Sequence, residues 1–150
     1  MAKKEKIIPT YSTPLQEKFV SYIMRRGKKV VARKIFEEAL QIIAAKGKKD
    51  AYKVFEKAIE NASPIIEVRP KRVGGAVYQV PTEVPAKRQL FLACSWILKG
   101  ARGAKGTQMA QKLATELMQA AEGTGAAVKK KDDVHKMAEA NKAFAFMARY

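Results

Sequence analysis

Between Glu67 and Arg88 the sequence places Arg69, Lys71, Arg72, Lys87 and Arg88, with Tyr78 among them. Guanidinium forks and ammonium groups bind phosphate oxygens, and a tyrosine ring offers a face on which a base or ribose can stack. The chemistry these residue types supply is recognition of a sugar-phosphate polymer. Lysines that protect a solvated hairpin edge would look similar. They would not require a chain with 30 Lys+Arg against 14 Asp+Glu, a net charge of +16 and a pI near 10.0. A charge that lopsided repels itself unless a polyanion is present, and nucleic acid is the leading partner class.

Further cations cluster elsewhere. Arg25, Arg26, Lys28, Lys29, Arg33 and Lys34 fall within one short stretch around Gly27, denser than helix-dipole complements need to be, and read as a phosphate-binding patch. Lys129, Lys130 and Lys131 stand where the spacing predicts the start of the last helix, against the positive end of its dipole, and so call for a compensating anion. Lys3 and Lys4 belong to a basic start, and Arg102 lies in a glycine-rich loop from Gly100 to Gly106. That loop has the order Lys105-Gly106-Thr107 and no preceding strand, which excludes a nucleotide-hydrolysing phosphate loop.

Catalysis has no residues to work with. His135 has no companion His or Cys, so neither a metal nor a cofactor site is expected, and a surface contact or helix-face role is left to it. Ser12, Ser21, Ser63 and Ser95 have no base, and Glu56 and Glu60 read as helix-surface carboxylates. The single cysteine, Cys94, lies in an apolar run and reads as a small buried hydrophobe in a reducing compartment. No apolar run is long enough to span a bilayer.

The elements that must position these cations follow from periodicity. Residues 1–12 read as a basic extension and 13–150 as one helical domain, large enough to bury a core. Thr13-Pro14 opens a first helix through Leu15, Phe19, Tyr22 and Ile23 to Gly27, and a second runs from about Val31 to Gly47. Asp50 caps a third that Pro64 stops. Two β-prone runs flank Gly74-Gly75 and predict a ribbon over about 67–84 with its tip at the glycines. Neither face of the ribbon alternates like a core strand, so it is expected to project without neighbours. Leu90–Leu98 is apolar nearly all round and is expected in the middle of the bundle. Thr107 is expected to cap a fifth helix, and Val134 to Ala145 to carry the last. The result is a mainly α bundle of five to six helices, with one β-hairpin arm between the third and fourth.

Three separated motifs then become specific: Leu15 to Ala32 around Gly27-Lys28-Lys29, the ribbon Arg72-Val73-Gly74-Gly75-Ala76-Val77-Tyr78-Gln79-Val80-Pro81, and Ala127 to Phe144 around Lys129-Lys130-Lys131-Asp132-Asp133-Val134-His135. Together they resemble the bacterial-type small-subunit ribosomal protein of the universal S-seven family. The resemblance implies a structural, non-enzymatic protein that binds the 3′ major domain of 16S-type rRNA and nucleates assembly of the subunit head. It implies a position at the subunit interface, near exit-site tRNA and the mRNA path, beside proteins of the S-nine and S-eleven families, as a monomer in a cytoplasmic, bacterial-type or organellar ribosome. Carried over by position, Lys3, Lys4, Arg25, Arg26, Lys28, Lys29, Arg33, Arg69, Lys71, Arg72, Lys87, Arg88, Arg102, Lys129, Lys130, Lys131 and His135 would contact rRNA. Val73, Gly74, Gly75, Ala76, Val77 and Tyr78 would form the arm tip near the tRNA. The rival reading is an architectural DNA-binding protein that inserts a basic ribbon into the minor groove, usually as one of a pair.

Overall fold

The computed structural model describes residues 12–47 and 50–149, with Arg149 in its backbone only. Helix α1 spans Pro14–Ile23 and begins with a reciprocal cap: the Thr13 hydroxyl accepts from the Gln16 N–H at 3.3 Å, while the Gln16 side chain accepts from the Thr13 N–H at 3.0 Å. It stops short of the expected Gly27, because Met24 leaves the helical conformation (ψ 135°), and Arg26 (φ 52°) and Gly27 (φ 73°) then turn left-handed ahead of α2, Lys29–Ala45. Helix α3, Ala51–Ala62, is capped by Asp50, which accepts from the Lys53 N–H at 3.1 Å. Strands β1 (Ile66–Val73) and β2 (Ala76–Glu83) pair antiparallel, from Ile66 opposite Glu83 out to Val73 opposite Ala76. Then follow α4 (Ala86–Gly103), α5 (Met109–Ala121), α6 (Gly125–Ala140) and a 3-10 segment, Lys142–Arg149. The expected architecture of a helical bundle interrupted by one hairpin is what the chain adopts.

Phe19, Phe36 and Phe55 form the three-ring centre of the core, with centroids 5.0 to 5.5 Å apart, and tie α1, α2 and α3 together. The middle of the bundle belongs to α5 rather than to α4, despite the apolar run Leu90–Leu98 of α4. Ala110, Leu113, Ala114, Leu117 and Ala120 are all buried as α5 packs against α2, α3, α4 and α6. Its small residues let several helices approach at once, whereas α4 carries the bulky Phe91, exposed at the surface, and Trp96, half-buried at the core's margin. Cys94 is buried as expected, and loss of hydration pushes its thiol up to about 12.

Other expectations need correction. Gly100 is not in a loop: α4 continues through Gly103. A Cβ at Gly100 would lie 2.9 Å from the Glu116 carboxyl, so the residue is small to admit that side chain. Thr107 is not a cap either, since Gln108 holds that position without a side-chain bond. The last helix breaks at Asn141, whose amide donates back to the Met137 carbonyl at 2.8 Å, and the chain tightens into the 3-10 segment. Nor does the ribbon stand without neighbours: β1 packs on α6 and β2 on the 3-10 segment. Val80 and Val84 are buried at its base.

Candidate nucleic-acid interface

A buried carboxylate anchors the root of the ribbon. Glu67, shielded from solvent, is paired with Arg69 on its own strand and with Arg88 of α4 at 3.2 Å, and Arg88 also lies 5.6 Å from the centre of the Phe91 ring. Lys71 donates from Nζ to the Met147 carbonyl at 2.8 Å, and the Tyr78 ring packs against Phe144 at 5.3 Å. Three of the expected ribbon cations are therefore braced within the protein, and Tyr78, expected to stack on a base or ribose, makes a tilted ring contact with the 3-10 segment. Bracing does not exhaust an arginine, whose fork carries five N–H donors. Arg72 and Lys87 are exposed and form no ion pair among the described residues. At the tip, Gly74 (φ 57°) and Gly75 (φ 89°) make the tight turn expected of them and leave Val73, Ala76 and Val77 exposed.

The stretch around Gly27 divides in two. Lys29 and Arg33 both pair at 2.8 Å with Glu17, a buried carboxylate of α1, and serve the packing of α1 on α2. The Lys29 contact, with Arg33 and against the opposing effect of burial, holds the Glu17 carboxyl below its usual range. Arg25, Arg26 and Lys28 are exposed and have no acidic partner among the described residues. Arg102, from the far end of the sequence, joins them: it donates to the Ile23 carbonyl at 3.2 Å. Burial, and then the charge of Arg25, lowers its proton affinity. Two cation groups that the sequence shows as separate are thus one surface.

On α6 the dipole argument fails as stated, because Lys129, Lys130 and Lys131 lie in the second turn of a helix that starts at Gly125. The start of α6 is complemented instead by buried Glu116 of α5, which accepts from the Ala127 N–H at 2.8 Å. Lys131 turns inward and donates to the Asn61 carbonyl at 2.6 Å, while Asn61 in turn donates to the carbonyls of Ala120 and Ala121, stitching α3, α5 and α6. Lys129 and Lys130 project into solvent. His135 is a structural contact: its Nε2 accepts from the Ile65 N–H at 3.2 Å and fixes α6 to the base of the ribbon. Lys3 and Lys4 lie outside the described residues.

The sequence reading missed the three buried glutamates that orient this surface. Only Glu116 left a signal, being on the buried stripe of α5 between Leu113 and Ala120. Among the described residues no group of His, Cys, Asp and Glu is placed to hold a metal ion, and no helix is long and apolar enough to cross a membrane.

Internally held acids under outward-facing cations, on a rigid helical frame with a basic ribbon, define a binding protein for a polyanion. Comparison with known proteins makes the class specific. The family model described as ribosomal protein S7p/S5e matches residues 1–142. Relatives named small ribosomal subunit protein uS7 include those of Dictyoglomus thermophilum, 51% identical over 91% of this chain and 88% of the relative, and Pseudothermotoga lettingae, 53% identical over 93% and 90%. That of Koribacter versatilis is 52% identical over 97% of this chain and 94% of its own length. The chain belongs to the ribosomal protein S7p/S5e family and is a structural, RNA-binding ribosomal protein, not an enzyme.

Proposed function

We propose that the protein is a constituent of the small ribosomal subunit that binds the 3′ major domain of 16S-type rRNA directly and nucleates assembly of the head. In this reading the ribbon reaches toward exit-site tRNA and the mRNA path, and proteins of the S-nine and S-eleven families are its neighbours in a bacterial-type ribosome. The observation that carries the reading is the division of labour among the cations. Lys29, Arg33, Arg69, Arg88 and Lys131 are tied to acids or carbonyls and hold the frame, while Arg25, Arg26, Lys28, Arg72, Lys87, Lys129 and Lys130 are exposed and have no acidic partner among the described residues. A frame that positions unneutralised charge is preorganised for phosphate, and it reads RNA by shape and backbone. The exposed tip Val73 to Val77 is uncharged and suits close approach to a second RNA more than phosphate capture.

The test is affinity for a fragment spanning the lower head junctions of small-subunit rRNA, against an equally long folded RNA, from about 50 to 300 mM salt. The cognate fragment should stay bound at a salt concentration that releases the control. Parallel collapse of the two would leave only non-specific polyanion binding and reopen the DNA-bending alternative.

A further inference from the structure

Beside the cations of the first loop lies a groove of about 340 Å³ whose construction differs from the rest of the basic surface. Its floor is apolar: Ile23 closes α1, Val31 and Ile35 lie one turn apart on α2, and Met109 opens α5. Its rim is cationic, formed by Arg25, Lys28 and Arg102, and among the described residues no carboxylate lines it. Simple phosphate binding needs no apolar floor, yet Val31, 53% exposed, joins Ile35 and Met109 there in one contiguous apolar patch. Nor would a groove for an uncharged partner gather three like charges. Arg102 is held in place by its bond to the Ile23 carbonyl, beside Arg25, and no acid among the described residues pairs with either. The volume lies at the small end of the range for small-molecule sites.

We propose that this groove receives a single unstacked nucleobase from a single-stranded RNA segment, the base lying on Val31, Ile35 and Met109 while its phosphate is held by Arg25, Lys28 and Arg102. The proposal rests on the RNA-binding reading above and adds a ligand to it. Single-stranded junctions present splayed bases, and proteins take them up on apolar, aromatic or guanidinium surfaces; here Arg102 supplies a guanidinium plane at the wall. The groove therefore reads the presence of an unpaired nucleotide at one position, which phosphate contacts alone do not.

The experiment follows side-chain methyl NMR signals of Ile23, Val31, Ile35 and Met109 in the full-length protein, titrated with adenosine 5′-monophosphate, ribose 5-phosphate and an acidic, leucine-containing peptide. It is paired with rRNA-fragment affinities of Val31→Trp, which fills the groove without removing a cation. Saturable shifts with the nucleotide but not with ribose 5-phosphate are expected. Val31→Trp should abolish them and weaken fragment binding about tenfold at an unchanged salt slope, whereas Arg25→Ala should lower that slope by about one. Absence of nucleotide shifts overturns the proposal, and so does wild-type affinity in Val31→Trp while Arg25→Ala still flattens the slope; the RNA-binding reading survives both. Shifts with the peptide alone overturn it in favour of a protein occupant. Failure of the RNA-binding reading itself appears separately, as loss of discrimination between fragment and control in the unsubstituted protein. Because the methyl titration uses that protein, the outcome does not depend on how Val31→Trp folds.

Discussion

Glu17 is the acid on which the basic first loop is hung, and its titration should show in stability. With Lys29 and Arg33 beside it, its folded-state carboxyl binds a proton less readily than in the unfolded chain. The unfolded state therefore takes up the proton first as pH falls. The stabilisation is present above the ordinary carboxylate range and is lost as pH drops through the folded value. Glu17→Gln should cost about 1–2 kcal/mol at pH 7, a value between exposed and buried pairs because Lys29 is partly solvated. It should also flatten the decline in thermal midpoint below about pH 4 relative to the unsubstituted protein. A midpoint that falls with acid equally in both would show that Glu17 is not the titrating group. Gly100 makes a second residue-scale case. Ala at this position gains helix propensity of about 1 kcal/mol, but its Cβ would meet the Glu116 carboxyl at 2.9 Å and Ala126 at 3.0 Å. Glu116 is pinned by its bond to the Ala127 N–H and cannot easily yield. Gly100→Ala should be net destabilising by about 1–2 kcal/mol, and the same change should cost less in a Glu116→Ala background, which a double-mutant cycle in denaturant detects. The sequence shows Gly100 only as one of several clustered glycines, and that is why it reads as loop. Its reason for being glycine is a contact with a helix that starts nine residues later, which no local pattern records.

The hairpin illustrates what local patterns can and cannot carry at the level of elements. Gly74-Gly75 between β-prone runs fixes the turn and the register, because only residues tolerant of positive φ close a two-residue loop. What supports the ribbon is not local. A lone two-stranded ribbon is marginal in water, and this one is splinted by the chain's last segment through the Tyr78–Phe144 contact and the Lys71 bond to the Met147 carbonyl. The aromatic period of the last helix, read straight through Asn141, puts Phe144 on a continued α-helix. The switch to 3-10 geometry at Asn141 brings its ring to the ribbon instead. Phe144→Ala should therefore raise amide hydrogen exchange in the ribbon about tenfold, the equivalent of roughly 1 to 1.5 kcal/mol of local stability. Exchange in α2, α3 and α5 should not change. Unchanged exchange in the ribbon would mean that its root, Glu67 with Arg69 and Arg88, is sufficient to hold it.

Over the whole molecule, the position of α4 matters more than its apolar content. Lys87 and Arg88 stand in its first turn at the root of the ribbon and Arg102 in its last turn at the groove, so the helix holds two cationic centres about 22 Å apart at 1.5 Å per residue. Packing against α1, α3, α5 and α6 keeps that separation fixed. A rigid two-centre surface binds an RNA whose phosphates match its span and pays little ordering entropy on docking. Among the described residues the two centres share no side chain, ion pair or carbonyl, and energetic effects at sites so far apart add. The variant Arg25→Ala with Lys28→Ala and the variant Arg72→Ala with Lys87→Ala should each weaken binding to the rRNA fragment, and each should flatten the salt slope by nearly two. Combined, their free-energy losses should sum to within about 0.5 kcal/mol. A combined loss no greater than that of either pair alone would mean that the RNA engages one centre at a time. The fixed length of α4 would then have no part in recognition.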